Sequence, residues 1–512
     1  MLRTKLEPTW PRLGWLAEYD FAGNLLVTHG PFVTSDQKRF VCACVWDGPY
    51  AEGNLHRTQH MFGSGIVVDA GSVWFVPPST TLERLLYVRD RGRLFVSNSL
   101  PLLLAAIGAK LTIEHDYEAV SQSSGDGIND YLREIPVVHP RLTHVLQIIY
   151  DQLVVTGSVI ESRRRTKPHE FASVDEYLGT LKEITRRILA NAADPRRGRS
   201  VQAISNCSRG YDSTAVTALV SAITDVDAYA AKRSNTRIPS VIARLMEGDI
   251  INDDGSDIAR QLGARALHLD DDLSKVPAEI ERWIWGSWQL SPEVIFWRMF
   301  ADAEAGQALR LWFAGHYGVE WDTHPNPRSL RGEVPRRMPS GCSLTEARLR
   351  YGIIDCSILY LFSEDCAQVF ALTNSRTLDP WRLGNEYDRP LARYLLESRG
   401  VARHEFGFGK RAVAQDYDAP QGRELRAEFF AATGWSELSE RATRSLNLGI
   451  YFARRAVAFA QARGKRMAMM SLGQDATKNT LKRRGAAWDL RRQTFVYCVN
   501  ALADRLARRS EA

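Results

Sequence analysis

The sequence predicts an α/β protein in two parts: a strand-rich N-terminal part, then a part built on a parallel sheet with a helical C-terminal extension. Up to about position 160, short apolar runs such as Gly65-Ile66-Val67-Val68 and Ser72-Val73-Trp74-Phe75-Val76 are separated by Gly and Pro turns, as in antiparallel sheets. Further on, apolar helical stretches alternate with short strands such as 201–204 and 227–230, the alternation that lays helices over a parallel sheet. The divider, Glu161-Ser162-Arg163-Arg164-Arg165-Thr166-Lys167-Pro168, is charged and ends in proline. It reads as a linker between parts spanning 1–165 and 166–512.

Composition agrees with a large globular enzyme. Of the 512 residues, 45% are hydrophobic and 25% charged, enough apolar material for two cores. Seven scattered cysteines give an odd count and no disulfide framework. No apolar run reaches the roughly 18 residues of a membrane span, and the first residues lack a signal-peptide core. The cytoplasm is therefore the expected compartment.

Taken in order, Phe40-Val41-Cys42-Ala43-Cys44-Val45 reads as a strand with both thiols on one face. They are expected to be buried core residues, since no second pair stands at zinc-site spacing. Residues 87–90 and 93–99 read as a strand pair, 100–107 as an apolar helix, and Ser173 as a helix N-cap with Glu176 completing a capping box.

Cys207-Ser208-Arg209-Gly210-Tyr211-Asp212-Ser213-Thr214 lies between the strand-like 200–205 and the helix-like 215–220. Such a loop can grip pyrophosphate. Gly210 permits close backbone approach, the helix N-terminus offers free N–H groups, and Ser208 and Ser213 add hydroxyl donors. Asp212 would repel phosphate, so its task is to hold Mg²⁺ or to orient the loop. Its removal is then expected to spare the fold. The same residue types also make ordinary helix caps, and that reading stands beside the first.

The stretch resembles the Ser-Gly-Gly-x-Asp-Ser loop of ATP pyrophosphatases, in particular asparagine synthetase-like enzymes, with Arg209 where a second small residue usually sits. The resemblance implies a PP-loop (adenine nucleotide α-hydrolase-like) parallel-sheet domain for 166–512. For 1–165 it implies a degenerate glutaminase-like, Ntn-type αββα sandwich, to which Tyr87-Val88-Arg89-Asp90, the following 92–99 and the helix at 100–107 are similar. Such glutaminases use a cysteine exposed by Met removal, its α-amine acting as base. Leu2 follows Met1 here, so glutamine hydrolysis is not expected unless cleavage exposes Thr4 or a later residue.

Carried over residue by residue, the resemblance implies that Ser208, Arg209, Gly210, Tyr211, Asp212 and Ser213 hold the nucleotide phosphates. Asp227-Ala228-Tyr229-Ala230-Ala231-Lys232 resembles the second strand, whose end takes adenine through backbone groups at Ala230; Lys232 meets phosphate or caps a surface strand. Asp254-Gly255-Ser256-Asp257 resembles the start of the next helix, with Gly255 replacing an acid.

Leu311-Trp312-Phe313-Ala314-Gly315-His316-Tyr317-Gly318-Val319-Glu320 is similar to the Gly-Glu-Gly-Ala-Asp-Glu segment of asparagine synthetases and, more closely, the Gly-Tyr-Gly-Ser-Asp segment of β-lactam synthetases. This implies backbone approach to the nucleotide at Gly315 and Gly318, catalytic roles for Tyr317 and Glu320, and Mg²⁺ shared by Asp212 and Glu320. Val319 replaces an acid, and a plain loop after a buried strand also accounts for both glycines. Arg376-Thr377-Leu378-Asp379-Pro380 resembles the segment that closes the synthetase site. The 403–411 stretch resembles the Arg-x-Lys-x-Gly-Phe region and implies that Lys410 stabilises charge on the α-phosphate or an oxyanion; an exposed basic loop tip is the other reading. His316 and His324 have no convincing metal-ligand partner.

The resemblance thus implies an AMP- and pyrophosphate-forming carbon–nitrogen ligase using ATP and Mg²⁺, acting on a carboxylate and an amine that arrives with a substrate. An ammonia-dependent amidotransferase is one alternative. A catalytically dead homologue serving as a binding or scaffold subunit is another, which the departures at Arg209, Gly255 and Val319 keep open. Charge adds one partner class. The net +6 hides an asymmetry, with 14 Lys and Arg against 4 Asp and Glu over 451–512. This stretch is a solvated helical face or a site for an anionic partner; no nucleic-acid motif accompanies it.

Overall fold

Runs of β-branched and aromatic residues, broken by residues that accept positive φ, build the first half. The computed structural model describes residues 1–36, 38–123, 125, 127–165, 169–232, 253–287, 293–316, 318–324, 329–334, 344–385, 387–407, 417–436 and 486–511. Its first strands are β1 (Leu2–Leu6), β2 (Trp15–Tyr19), β3 (Leu25–His29), β4 (Thr34–Ser35), β5 (Phe40–Trp46), β6 (Met61–Asp69) and β7 (Ser72–Val76). There follow β8 (Arg84–Asp90), β9 (Arg93–Ser97), β10 (Glu134–Pro136), β11 (His144–Ile149), β12 (Gln152–Thr156) and β13 (Val159–Arg163).

Ala70-Gly71 joins β6 to β7 and Arg91-Gly92 joins β8 to β9, all four residues at positive φ, the two-residue turn whose twist matches antiparallel strands. One sheet runs β1-β3-β2-β9-β8-β11-β10 and the other β13-β12-β7-β6-β5-β4. Val41, Ala43 and Val45 of β5 share a core with Trp15, Ala17 and Val27 of the first sheet. The opposite face, Phe40, Cys42, Cys44 and Trp46, clusters with Tyr50, Leu55 and Met61. Both thiols are buried in that cluster.

The stretch expected as a linker begins instead as strand β13. Arg164 pairs with Asp151, and buried Arg165 donates to the Pro77 carbonyl; Thr166, Lys167 and Pro168 lie outside the described residues.

Helices α1 (Leu100–Ile107) and α2 (Tyr117–Ser123) belong to the first half, and α3 (Val174–Ala192) opens the second. Ser99 and Ser173 cap α1 and α3, each accepting from a first-turn N–H. Glu176 reaches back to the N–H of Ala172, one residue before the cap. Helix α3 packs on β5, and the Arg197 guanidinium just beyond it lies over Trp46 and Tyr50.

The second half is a mixed arrangement around a parallel sheet. Strand β14 (Val201–Asn206) leads to α4 (Asp212–Ser221) and β15 (Val226–Ala230), then α5 (Ser256–Gln261), β16 (Arg265–His268), α6 (Ala278–Ser287) and α7 (Trp297–Ala305). Next come β17 (Leu309–Phe313), α8 (Thr345–Tyr351), β18 (Ile353–Asp355), α9 (Cys366–Thr373), α10 (Pro390–Ser398), α11 (Arg423–Thr433) and α12 (Ala486–Glu511). All pairings are parallel, in the order β16-β15-β14-β17-β18.

The halves share a buried boundary. Glu346 of α8 accepts from Ser99 Oγ at 2.5 Å and from the Leu100 N–H at 2.8 Å, Arg348 pairs with Glu83, and Arg12 donates to the carbonyls of Ala303, Glu304 and Gly306. Helix α12 packs on both α1 and α6. Its Phe495 and Val499 are buried, and Arg491, also buried, pairs with Asp418 at 2.7 Å. Part of the basic excess is thus internal, while 437–485 lie outside the described residues. No helix among the described residues is long and apolar enough to cross a membrane.

Candidate functional site

Strand order decides where a ligand can enter. The chain builds β14, β15 and β16 outward in one direction and then returns to place β17 and β18 on the other side of β14. At such a reversal the loops leaving the carboxyl ends of neighbouring strands diverge and open a crevice. Here those loops are 207–211, after β14, and 314–318, after β17.

The first loop is folded by its own side chains. Ser208 Oγ accepts from the Gly210 N–H at 3.1 Å and meets Ser213 Oγ at 3.0 Å. Thr214 Oγ1 donates to the carbonyls of Ser208 and Gly210. Helix α4 then begins at Asp212, with Tyr211 at the N-cap and no side chain capping it. Its first-turn N–H groups and the helix dipole favour an anion.

Glycines bring three segments against this loop. A Cβ on Gly255 would stand 2.6–2.7 Å from the backbone of Cys207 and Ser208. One on Gly315 would overlap the backbone of Ser213, and one on Gly318 the Asp212 carboxylate. Gly255, read from sequence as a lost acid, is the residue that lets α5 approach. On the far side Gly407, at φ +78, lies against the Tyr211 ring, and its N–H donates to the Arg209 carbonyl at 2.8 Å.

The charged side chains are arranged around a buried cation that the sequence did not disclose. Arg389 is 1% exposed; it donates to Asp212 Oδ1, and its Nη2 lies 3.8 Å from Asp322 Oδ2. Burial lowers its pKa to about 10, without removing its charge at neutral pH. Asp212 therefore has a buried cationic partner within the protein. The available signal for Arg389 was Pro390, a first-turn proline that fixes the start of α10.

Arg209 turns away from the α4 N-terminus: its N–H donates to buried Asp253 at 3.1 Å and its Nε to the Glu405 carbonyl at 3.0 Å. Tyr211 is fully buried, accepts from Arg393 at 2.6 Å, and packs on Tyr387 and Phe406.

Ala230 ends β15, and its carbonyl accepts from the Leu269 N–H. Lys232 lines a separate cleft with His268, Asp270, Arg298 and Asp302 at the ends of β15 and β16. Gly318 and Glu320 belong to a 3₁₀ turn, Gly318–Trp321, but the Glu320 side chain, Tyr317 and Lys410 lie outside the described residues. His316, next to Gly315, places Nε2 4.0 Å from Oδ2 of buried Asp355 at the end of β18; Ser357 donates to the other Asp355 oxygen at 2.6 Å. The Arg376–Trp381 turn packs on α10, its Pro380 carbonyl accepting from Arg403. Sequence reading therefore collected the loop and its glycines, while Arg389, Asp322, Asp253 and Asp355 arrive only by folding.

No group of three or more His, Cys, Asp or Glu able to hold a metal occurs among the described residues. Asp212 and Asp322, two hard oxygen donors flanking one guanidinium, fit the one or two carboxylates with which proteins usually hold Mg²⁺ when phosphates and water supply the remaining ligands. The chain matches no protein-family model and no curated protein.

Proposed function

We propose that this chain is an ATP-dependent carbon–nitrogen ligase of the asparagine synthetase and β-lactam synthetase type, with a PP-loop domain over 166–512 and a degenerate Ntn-type unit over 1–165. One observation carries the reading: the uncapped N-terminus of α4, with Ser208 and Ser213, stands at the reversal of a parallel sheet in the order β16-β15-β14-β17-β18. A dipole end and hydroxyls at that place suit the anionic tail of a nucleotide. The two face-to-face sheets support the reading of the N-terminal unit.

In this reaction a substrate carboxylate oxygen attacks the α-phosphorus of ATP and pyrophosphate leaves. An amine nitrogen then attacks the acyl-adenylate carbonyl, AMP leaves, and the nitrogen gives up a proton. The α4 N-terminus and the two serines bind the departing pyrophosphate. Asp212 and Asp322 would hold Mg²⁺, which supplies charge neutralisation at the phosphates. His316, whose Nε2 lies 4.0 Å from the Asp355 carboxylate, takes the amine proton. Lys410 keeps its charge-stabilising role, and Tyr317 and Glu320 the catalytic roles that the resemblance implies. Incubation with ATP and a metabolite pool tests the whole: AMP with pyrophosphate supports it, and ADP with phosphate refutes it.

A specific observation also favours a second reading. Arg389 already holds the Asp212 carboxylate, and Arg209 is engaged elsewhere, as in a homologue that binds a ligand without turning it over. Saturable nucleotide binding with neither AMP nor pyrophosphate formed would select this reading.

A further inference from the structure

Strand β13 (Val159–Arg163) forms one edge of the six-stranded sheet, paired with β12 on one side and with no strand on the other among the described residues. Such an edge presents a row of unpaired N–H and C=O groups, a template for pairing with a second chain. It is open to solvent: Val159 is 61% exposed, and Glu161, Ser162 and Arg163 are exposed as well.

The hairpin decides which backbone groups face outward. Gly157, at positive φ, and Ser158 form its two-residue turn, and Thr156 stands opposite Val159. The pair that closes a two-residue turn exchanges hydrogen bonds, and bonded pairs alternate with non-bonded ones along an antiparallel ladder. Val159, Glu161 and Arg163 therefore bond to β12, while Ile160 and Ser162 direct their N–H and C=O groups away from the sheet.

Charge then selects how this edge can pair with itself about a two-fold axis. Centred on Glu161 or on Arg163, the axis sets like charges against each other. Centred on Ile160, it sets Glu161 against the partner's Val159 and leaves Arg163 unmatched. Centred on Ser162, it places Glu161 opposite the partner's Arg163 twice over, in the non-hydrogen-bonded pairs whose side chains stand closest. The two Ser162 backbones then bond to each other. Within one chain Glu161 and Arg163 already form an ion pair, each about half exposed. An exposed pair is worth little, so exchanging it for two pairs across the axis costs little. Arg164 is paired with Asp151 and adds no unmatched charge. Because both subunits use the same edge, the assembly closes at two.

We propose that β13 is the docking edge for a second copy of this chain, joined antiparallel about Ser162 with Glu161 facing Arg163 across the axis. The inference stands independently of the ligase reading. The test is sedimentation velocity of the full chain from about 1 to 100 µM, at about 0.15 M ionic strength. We expect monomer at the low end and dimer at the high end. Ser162→Pro removes an N–H that β12 does not use, so it should spare the fold and raise the dimer dissociation constant at least about tenfold. Glu161→Arg and Arg163→Glu each set like charges face to face and should do the same. An equimolar mixture of these two charge variants sets opposite charges at both pairs and should recover the dimer, which also shows that both variants are folded. A monomer mass at every concentration, the result if another segment of the chain takes the edge, would overturn the proposal. So would a dimer that any one of the three variants fails to weaken, or charge variants that do not recover on mixing.

Discussion

Arg389 Nη1 donates to Oδ1 of Asp212 across 177 positions of the chain, and the guanidinium is buried while the carboxylate stands in the first turn of α4. The contact joins the phosphate-type loop to the start of α10 and fixes the direction of the Asp212 side chain.

Asp212→Ala leaves the buried guanidinium with Asp322, 3.8 Å away, as its remaining carboxylate partner among the described residues. It should lower unfolding free energy by about 1–3 kcal/mol, and Arg389→Met, which removes the charge and keeps the volume, should cost less. Urea unfolding of both single variants and the double variant measures the coupling. A coupling near zero would show that the pair contributes nothing to the fold.

Gly255→Ala places a methyl against the Cys207 and Ser208 backbone, where no flexible side chain can give way. The expected loss is about 1–3 kcal/mol, together with weaker nucleotide binding because the loop must shift. Gly407→Ala adds positive-φ strain to a clash with Tyr211 and should cost more. Thermal unfolding and ATP titration check both.

Glu346 is 2% exposed, and burial raises its pKa to about 7, against Ser99 and Leu100 hydrogen bonds that pull it down. An acid whose folded pKa is raised contributes stability below its unfolded pKa, near 4.5, and loses it as pH rises through the folded value. Relative to Glu346→Gln, the parent should therefore lose stability between about pH 4.5 and 7 by up to a few kcal/mol. Unfolding free energies of the two proteins that stay parallel across this window would show that Glu346 titrates normally.

On the ligase reading, His316→Asn should lower kcat by about a hundredfold with ATP KM nearly unchanged. Asp355→Asn, which removes a charge near His316, should lower kcat less and shift the acidic limb of the pH–rate profile, where the base protonates. A His316→Asn enzyme with normal kcat removes His316 from proton transfer.

Local pattern made several elements legible. The apolar run 72–76 is β7, the run 100–107 is α1, and Ser173 caps α3 because a hydroxyl before a helical run meets an orphan N–H wherever it occurs. The expected linker failed at 161–163, which ends the strand Val159–Arg163 paired with β12: strand pairing is a property of two segments, and charge on an edge strand does not prevent it.

By itself the sequence determined that a strand, a glycine-containing hydroxyl loop and a helix follow one another at 201–221, since each depends on residues a few positions apart. Tertiary structure alone decided what surrounds that loop. Parallel pairing of β14 with both β15 and β17 put the 314–318 segment beside it; the return of α10 delivered Arg389 to Asp212; and the end of β18 brought Asp355 toward His316. These partners lie tens to hundreds of positions apart, where no periodicity links them, and their meeting follows from how helices and strands stack to bury apolar surface.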